Sequence, residues 1–167
     1  DPLMHILRNA VDHGIEPPAE RTAAGKPAAG TITLSVSSRG NDIEVIVRDD
    51  GGGIDPEVVR RRALKAGLIH EVDMDMLSND AITALIFEPG FSTAQQVTAV
   101  SGRGVGLDVV RQRVESLRGR LWVENQAGRG TGFHLIVPVS LTRIRCLLAR
   151  IGPEQYAIPL ATVTRIV

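Results

Sequence analysis

No excess of charge of either sign marks this chain: 19 basic and 19 acidic residues cancel to a formal net charge of zero. Nothing in that balance attracts DNA, RNA or an acidic membrane surface. There is one cysteine, Cys146, so no internal disulfide can form, and the chain fits a reducing, cytoplasmic setting. Cys146 sits in the apolar run RIRCLLARI and reads as a small buried hydrophobe rather than a catalytic thiol. No apolar run reaches the roughly 20 residues a membrane-spanning helix needs. Neither a signal peptide nor a repeat nor a low-complexity tract is visible. Aromatics make up only 3% of a 43% hydrophobic composition that still suffices for a sizeable core. A length of 167 residues suits one domain, or one domain and part of another.

What is present is a succession of short elements broken by glycine. Residues 2–13 predict a helix closed by Gly14, which makes the chain read as an excised fragment beginning inside a helix. IEPPAERTAAGKPAAG reads as a loop. GTITLSVSSRGNDIEVIVRDD predicts two strands joined at SRGND. Asp55 then caps a helix with Pro56 in its first turn, and Ser78 or Asn79 caps another. Residues 88–104 are poor in large apolar side chains and predict a long mobile loop of a kind that is often functional. A helix follows with Val105, Val109, Val110, Val114 and Leu117 on one side, then strand, turn and strand through LWVENQ, AGRGTG and FHLIVPV. The pattern changes after Pro138, where LTRIRCLLARIGPEQYAIPL predicts a hairpin turning at GPEQ. A boundary near 139–141 divides the chain into 1–139 and 140–167.

Three stretches carry chemistry. On the first helix, at about 100° per residue, His5, Asn9 and His13 share a face flanked by Arg8 and Asp12, while Leu3, Ile6, Leu7 and Ala10 face a core. Such a stripe is either a solvated face, a zinc site or a magnesium site. The amide oxygen of Asn9 suits Mg²⁺ better than zinc, because Mg²⁺ takes oxygen ligands and shares phosphates. In the second stretch, RDDGGGID, a strand ends in Asp49 and Asp50 and then Gly51, Gly52 and Gly53. The spacing fails the calcium-loop pattern, and a tight turn is the simplest account. In the third, GRGVGLDVV, Gly102, Gly104 and Gly106 open a helix whose free amides and dipole favour an anion. No Lys-Ser or Lys-Thr follows, so it is not a Walker loop.

In this order, HILRNAVDHG, DDGGGID, FEPGFST, GRGVGLDVV and GRGTGF resemble the nucleotide-binding boxes shared by histidine kinases, DNA gyrase, the ninety-kilodalton heat-shock chaperones and the MutL proteins. DPLMHILRNAVDHGIE resembles in particular the CheA type of chemotaxis histidine kinase, over roughly residues 1–138; residues 140–167 resemble the opening strands of a CheW-like regulatory domain. The resemblance implies an α+β fold: a two-layer sandwich of the histidine-kinase ATPase type, a mixed and largely antiparallel sheet with helices on one face, followed by the first strands of an SH3-like β-barrel. It implies ATP and Mg²⁺ as cofactors. By the same mapping Asp49 accepts from the adenine amino group, Gly51 and Gly53 shape the turn beneath the base, and Thr131 joins through a water. Asn9 holds Mg²⁺, with Asp12 and His13 near the triphosphate. His5 is either a metal or phosphate contact or the base that orients the incoming imidazole. Ser101, Gly102, Arg103, Gly104, Val105, Gly106 and Leu107 cradle the phosphates, and residues 88–104 form a lid whose first edge Phe87 and Phe91 anchor, a role compatible with plain core packing. Relatives often carry a basic residue early in the helix after the glycine turn. Here Val58 and Val59 stand there, and Arg60, Arg61, Arg62 and Lys65 read as a solvated face.

The implied activity is transfer of the ATP γ-phosphoryl to a histidine on a separate phosphotransfer domain. A response regulator would receive it next. A CheW-type adaptor and a chemoreceptor would engage the CheW-like part, and a homodimer would form through a domain outside this chain. The alternative is an ATP-gated conformational module of the gyrase or MutL type. The family's strand and helix that precede the first box are not in this sequence, which predicts poor stability in isolation.

Overall fold

The computed structural model describes residues 2–70, 76–91, 106–139 and 146–159. Its centre is a hairpin. The alternation of Ile43, Val45 and Val47 with Glu44 and Arg48, broken only by Ile46, builds β2 (Asp42–Asp49), which pairs antiparallel with β1 (Ile32–Arg39) across a two-residue Gly40–Asn41 turn. On its other side β2 pairs with β4 (Gly130–Pro138), and β4 with β3 (Arg120–Gln126). The order is β1-β2-β4-β3, and each of these pairings is antiparallel. Directly opposed residues share a face. Val45 and Val47, Phe133 and Leu135, and Leu121 and Val123 therefore line up on one side of the sheet.

The helices cover that side. The first, α1 (Pro2–Asn9), presses Ile6 into the core with Leu3 and Leu7 beside it, as the apolar stripe predicts. The helix α3 (Pro56–Lys65) contributes Val59 and Ala63. It starts where Asp55 accepts a 2.8 Å hydrogen bond from the Glu57 amide, with Pro56 in the first turn, where a missing N–H costs nothing. Ser78, not Asn79, caps α4 (Asn79–Ala84), which runs into a 3₁₀ turn at Leu85–Phe87. There Phe87 packs edge-on against Phe133, with ring centres 6.1 Å apart. From α5 (Leu107–Ser116) Val110 and Val114 enter the core, whereas Val109 (41% exposed) and Leu117 (52%) do not. Arg61, Arg62 and Lys65 are solvated as expected, but Arg60 is half-buried, 3.6 Å from Glu57.

Two local features depart from the sequence reading. First, α1 does not stop at Asn9: it widens into a π-helical turn over Ala10–Gly14, closed by a bond from the Ile15 amide to the Ala10 carbonyl. Second, the segment expected as loop holds a short helix, α2 (Pro18–Ala23), whose Arg21 is fully buried. Separate from the four-stranded sheet, β5 (Cys146–Ile151) and β6 (Glu154–Pro159) form the predicted hairpin, turning at Gly152–Pro153. Cys146 is exposed, not buried, and so are Leu148 and Ile151, because the described residues supply no second layer over this hairpin.

Candidate functional site

The segments singled out in the sequence meet where β2 ends. Asp49, last residue of β2, is only 5% exposed. Its Oδ1 accepts from the Gly51 amide at 3.0 Å and from the Thr131 amide on β4 at 3.3 Å. Burial pushes its pKa up, with the nearby Asp50 charge adding to the rise, against the lowering effect of those two amides. Both donors bond the same oxygen, and among the described residues none bonds Oδ2. That leaves Oδ2 as the carboxylate oxygen that a donor on a ligand can engage.

The glycines of this turn are demanded by close approach. A Cβ on Gly51 would fall on the carbonyl oxygen of Gly14, at the end of the π turn. Gly53 has φ +72°, and a Cβ there would lie 2.6 Å from the Gln126 carbonyl oxygen. Gly14 is itself part of the site: its carbonyl accepts from the Gly52 amide at 3.0 Å, and a Cβ on it would lie 3.2 Å from the Asp49 carboxyl carbon. The first helix and the glycine turn are thus in direct backbone contact, which no spacing rule shows. Asn125 is a second addition. Its side-chain amide accepts from the Ile54 amide at 2.7 Å and donates to the Ile54 carbonyl at 2.6 Å, clipping the turn to β3. A signal existed: strand alternation puts Asn125 on the core-facing side with Leu121 and Val123, and a half-buried amide there demands partners.

The face of α1 is more open. His5 and Asn9 are half-buried, while Asp12 and His13 are exposed, and His13 lies beyond the point where α-helical spacing holds. Among the described residues no hydrogen bond or ion pair holds the side chains of Asn9, Asp12 or His13. The His5 pKa is lowered, chiefly by burial and then by Arg8, against the opposing charge of Asp108 in the first turn of α5. Its imidazole is therefore neutral at pH 7 and near the start of α5. Gly106, buried, is the residue before α5, and Leu107 begins it. Ser101, Gly102, Arg103, Gly104 and Val105, and most of the expected lid, lie outside the described residues. Of the lid's anchors, Phe87 is buried and Phe91 packs half-buried against the core. Glu88 bonds Arg111 of α5 at 2.7 Å.

A groove of about 1160 Å³ runs along β3, lined among others by Asp49, Asn125 and Thr131, by Leu85 of the 3₁₀ turn and by Arg111 of α5. Its described walls do not include His5, Asn9 or His13, so it belongs to the Asp49 end. No cluster of three or more His, Cys, Asp or Glu residues able to hold a metal occurs among the described residues. An ion bound by one amide oxygen, phosphates and water needs none.

Residues 1–141 match the family of histidine kinase-, DNA gyrase B- and HSP90-like ATPases, and the chain belongs to that family. Over 164 residues it is 49% identical to the chemotaxis protein CheA of Borreliella burgdorferi, covering 98% of this chain and 19% of that protein. The CheA of Halobacterium salinarum is 46% identical over 166 residues, 99% of this chain and 25% of the relative. A gliding motility regulatory protein of Myxococcus xanthus is 46% identical over 163 residues, 98% of this chain and 21% of the relative. The CheA resemblance thus extends over nearly the whole chain, which spans between 19% and 25% of the length of these relatives.

Proposed function

We propose that residues 1–139 bind Mg·ATP and serve as the catalytic domain of a CheA-type protein histidine kinase. The observation that carries this is the buried Asp49 carboxylate, with one oxygen held by two backbone amides and the other left for a donor. The adenine amino group is such a donor. Guanine presents a carbonyl at that place and would leave both acceptors unpaired. Thr131 and the glycine turn then border the base. Asn9 suits Mg²⁺: its amide oxygen is unengaged among the described residues, sits on the helix that abuts the Asp49 turn, and is the hard ligand type the ion takes. Bound Mg²⁺ would neutralise charge on the phosphates; Asp12 and His13 stand near it on the same helix. The start of α5 at Gly106 and Leu107 offers unpaired amides to the triphosphate, continuing the cradle assigned to residues 101–105.

The reaction is transfer of the γ-phosphoryl to an imidazole nitrogen of a histidine on a separate phosphotransfer domain. A nitrogen–phosphorus bond forms, the bond to the β–γ bridging oxygen breaks, and ADP leaves. The chain contributes positioning and charge stabilisation. His5, kept neutral, fits the role of a base orienting that imidazole better than that of a cationic phosphate contact. Residues 140–167 open a CheW-like regulatory domain of SH3-like barrel type, through which a CheW-type adaptor and a chemoreceptor act. The homodimer forms through a domain outside this chain, and a response regulator receives the phosphoryl group next. Among the described residues no helix is long and apolar enough to cross a membrane; the setting proposed is the cytoplasm.

Titrating the chain with Mg·ATP and Mg·GTP, in wild type and Asp49→Ala, tests the site. Preference for ATP in the wild type and its loss in the variant support it, and equal affinities remove it. Incubation with γ-labelled ATP and a phosphotransfer domain then separates the kinase from an ATP-gated module, which would hydrolyse ATP without labelling the added domain.

A further inference from the structure

Against the glycine turn, at Asp50 and Gly51, lies a set of charges that neither the turn nor the phosphate site accounts for. Arg21 of α2 is fully buried, and all its N–H groups find acceptors. Nε donates to the Pro27 carbonyl at 2.8 Å, and Nη1 to Glu16 Oε2 at 3.0 Å and the Asp50 carbonyl at 3.1 Å. Nη2 donates to Asp50 Oδ2 at 3.0 Å, with a longer contact to the Ala29 carbonyl at 3.4 Å. The ammonium of Lys26 is used as fully: Glu16 Oε1 at 2.7 Å, the Asp50 carbonyl at 3.1 Å and the Gly51 carbonyl at 2.7 Å. Asp50 Oδ1 accepts from the Thr31 amide at 2.9 Å. Two cations from a 16-residue stretch of loop and helix, tied to Glu16 of the same stretch and to each other through it, thus converge on the backbone carbonyls of Asp50 and Gly51, and the amide at Gly51 holds the Asp49 carboxylate.

We infer that Arg21, Lys26 and Glu16 are positioning residues for purine recognition: they fix the peptide planes of residues 50–51 so that the Gly51 amide holds Asp49 Oδ1 and turns Oδ2 to the ligand. This rests on the reading of Asp49 as the adenine acceptor. The geometry favours this over a general stabilising role. A salt-bridge cluster that merely stabilised the loop could end on side chains anywhere on the surface; this one ends on two consecutive carbonyls of the recognition turn. The amide of Gly51 and the carbonyl of Asp50 belong to one peptide plane, so a charge gripping that carbonyl sets the direction of the N–H on which Asp49 depends. Charged donors also make the strong, short members of the hydrogen-bond class, suited to holding a plane still. Glu16 orients both cations at once, one on each of its oxygens.

The test uses the intact chain carrying Lys26→Met, Lys26→Arg, Arg21→Lys or Asp49→Ala, with thermal midpoints and Mg·ATP and Mg·GTP titrations run well below each midpoint. Lys26→Met keeps the side chain's apolar length and removes the ammonium's bonds to Glu16 and to the Asp50 and Gly51 carbonyls, leaving Arg21 in place. We expect it to fold and to lose ATP affinity by about tenfold, with the ATP-over-GTP preference shrinking by a similar factor, and Lys26→Arg to restore most of both. A cluster that only stabilises the fold would lower the midpoint and leave the preference unchanged in the folded fraction. Wild-type preference in Lys26→Met, alongside its loss in Asp49→Ala, overturns the inference and leaves the nucleotide site standing. An Asp49→Ala variant with wild-type preference overturns the site itself, and the inference with it. Should Arg21→Lys fail to fold, the Lys26 pair decides alone.

Discussion

The two ends of the site are built in opposite ways. At the Asp49 end, the polar groups of the turn are largely taken up within the chain: amides on Oδ1, the Asn125 clip on Ile54, the Gly14 carbonyl under Gly52. At the Asn9 end, side chains on one helix stand half-buried or exposed, with no hydrogen bonds among the described residues. A base is one rigid shape, and a rigid acceptor can discriminate it. Metal and triphosphate bring their own charge and geometry, and ligands left free by the protein can adjust to them. On the proposed reading, base recognition and the handling of metal and triphosphate draw on different degrees of preorganisation.

The strongest way to break the contrast is Gly51→Ala. A methyl placed on the Gly14 carbonyl forces the turn off α1, with a cost of about 3 kcal/mol or more in a thermal or urea unfolding series and loss of nucleotide binding. Asp49→Asn separates recognition from stability. Replacing the acceptor Oδ2 with an amide donor should weaken ATP by about 1.5–3 kcal/mol in a titration, while the thermal midpoint at neutral pH stays level or rises, because burial disfavours the charge being removed. Asn9→Ala should leave the midpoint within about 0.5 kcal/mol of wild type, as an unengaged side chain predicts, yet abolish the Mg²⁺ dependence of ATP binding. Arg48 and Glu124, an exposed pair 3.0 Å apart on the sheet's open face, set the floor: Arg48→Gln, which leaves the contact of Glu124 with the buried His134 in place, should cost about 0.5 kcal/mol or less.

Acid sharpens the same comparison. The pKa of Asp49 is raised by burial, so as pH falls through that raised value the folded state takes up a proton and the acceptor loses its charge. Asp50 and Glu16 are shifted the other way. Burial raises Asp50, but the Thr31 amide and Arg21 outweigh it. The Lys26 bond lowers Glu16 most. Their contribution to stability is present above the ordinary carboxyl value of about 4 and lost only as pH falls through their lower folded values. ATP affinity measured down a pH series should therefore fall before the thermal midpoint does.

Much of this was legible in the chain. The alternation through Val45 and Val47, the break at Gly40 and the Asp55–Pro56 start of α3 are local signals, and each element formed where they put it. The stripe of Leu3, Ile6 and Leu7 met the core because its spacing is that of an α-helix. The π turn after Asn9 was not legible, since one widened turn leaves no periodic trace and spacing by fours then misplaces His13. Arg21 was missed for a different reason. In a stretch of Pro, Ala and Gly a lone arginine looks solvated, and its partner Asp50 lies 29 positions away. Cys146 was misjudged because an apolar run says only that burial is wanted, not that a covering layer is at hand.

The sequence by itself determined the order of the strands and of the helices other than α2, the glycines at the turn and the acid that closes β2, because these depend on residue type and spacing over a few positions. Only the tertiary structure decided that Gly14 abuts Gly51, that Asn125 clips Ile54 and that Arg21 and Lys26 grip the carbonyls behind Asp49. Those contacts join parts of the chain through space, and a buried charge or a forbidden Cβ acquires its meaning only from the atoms that folding brings against it.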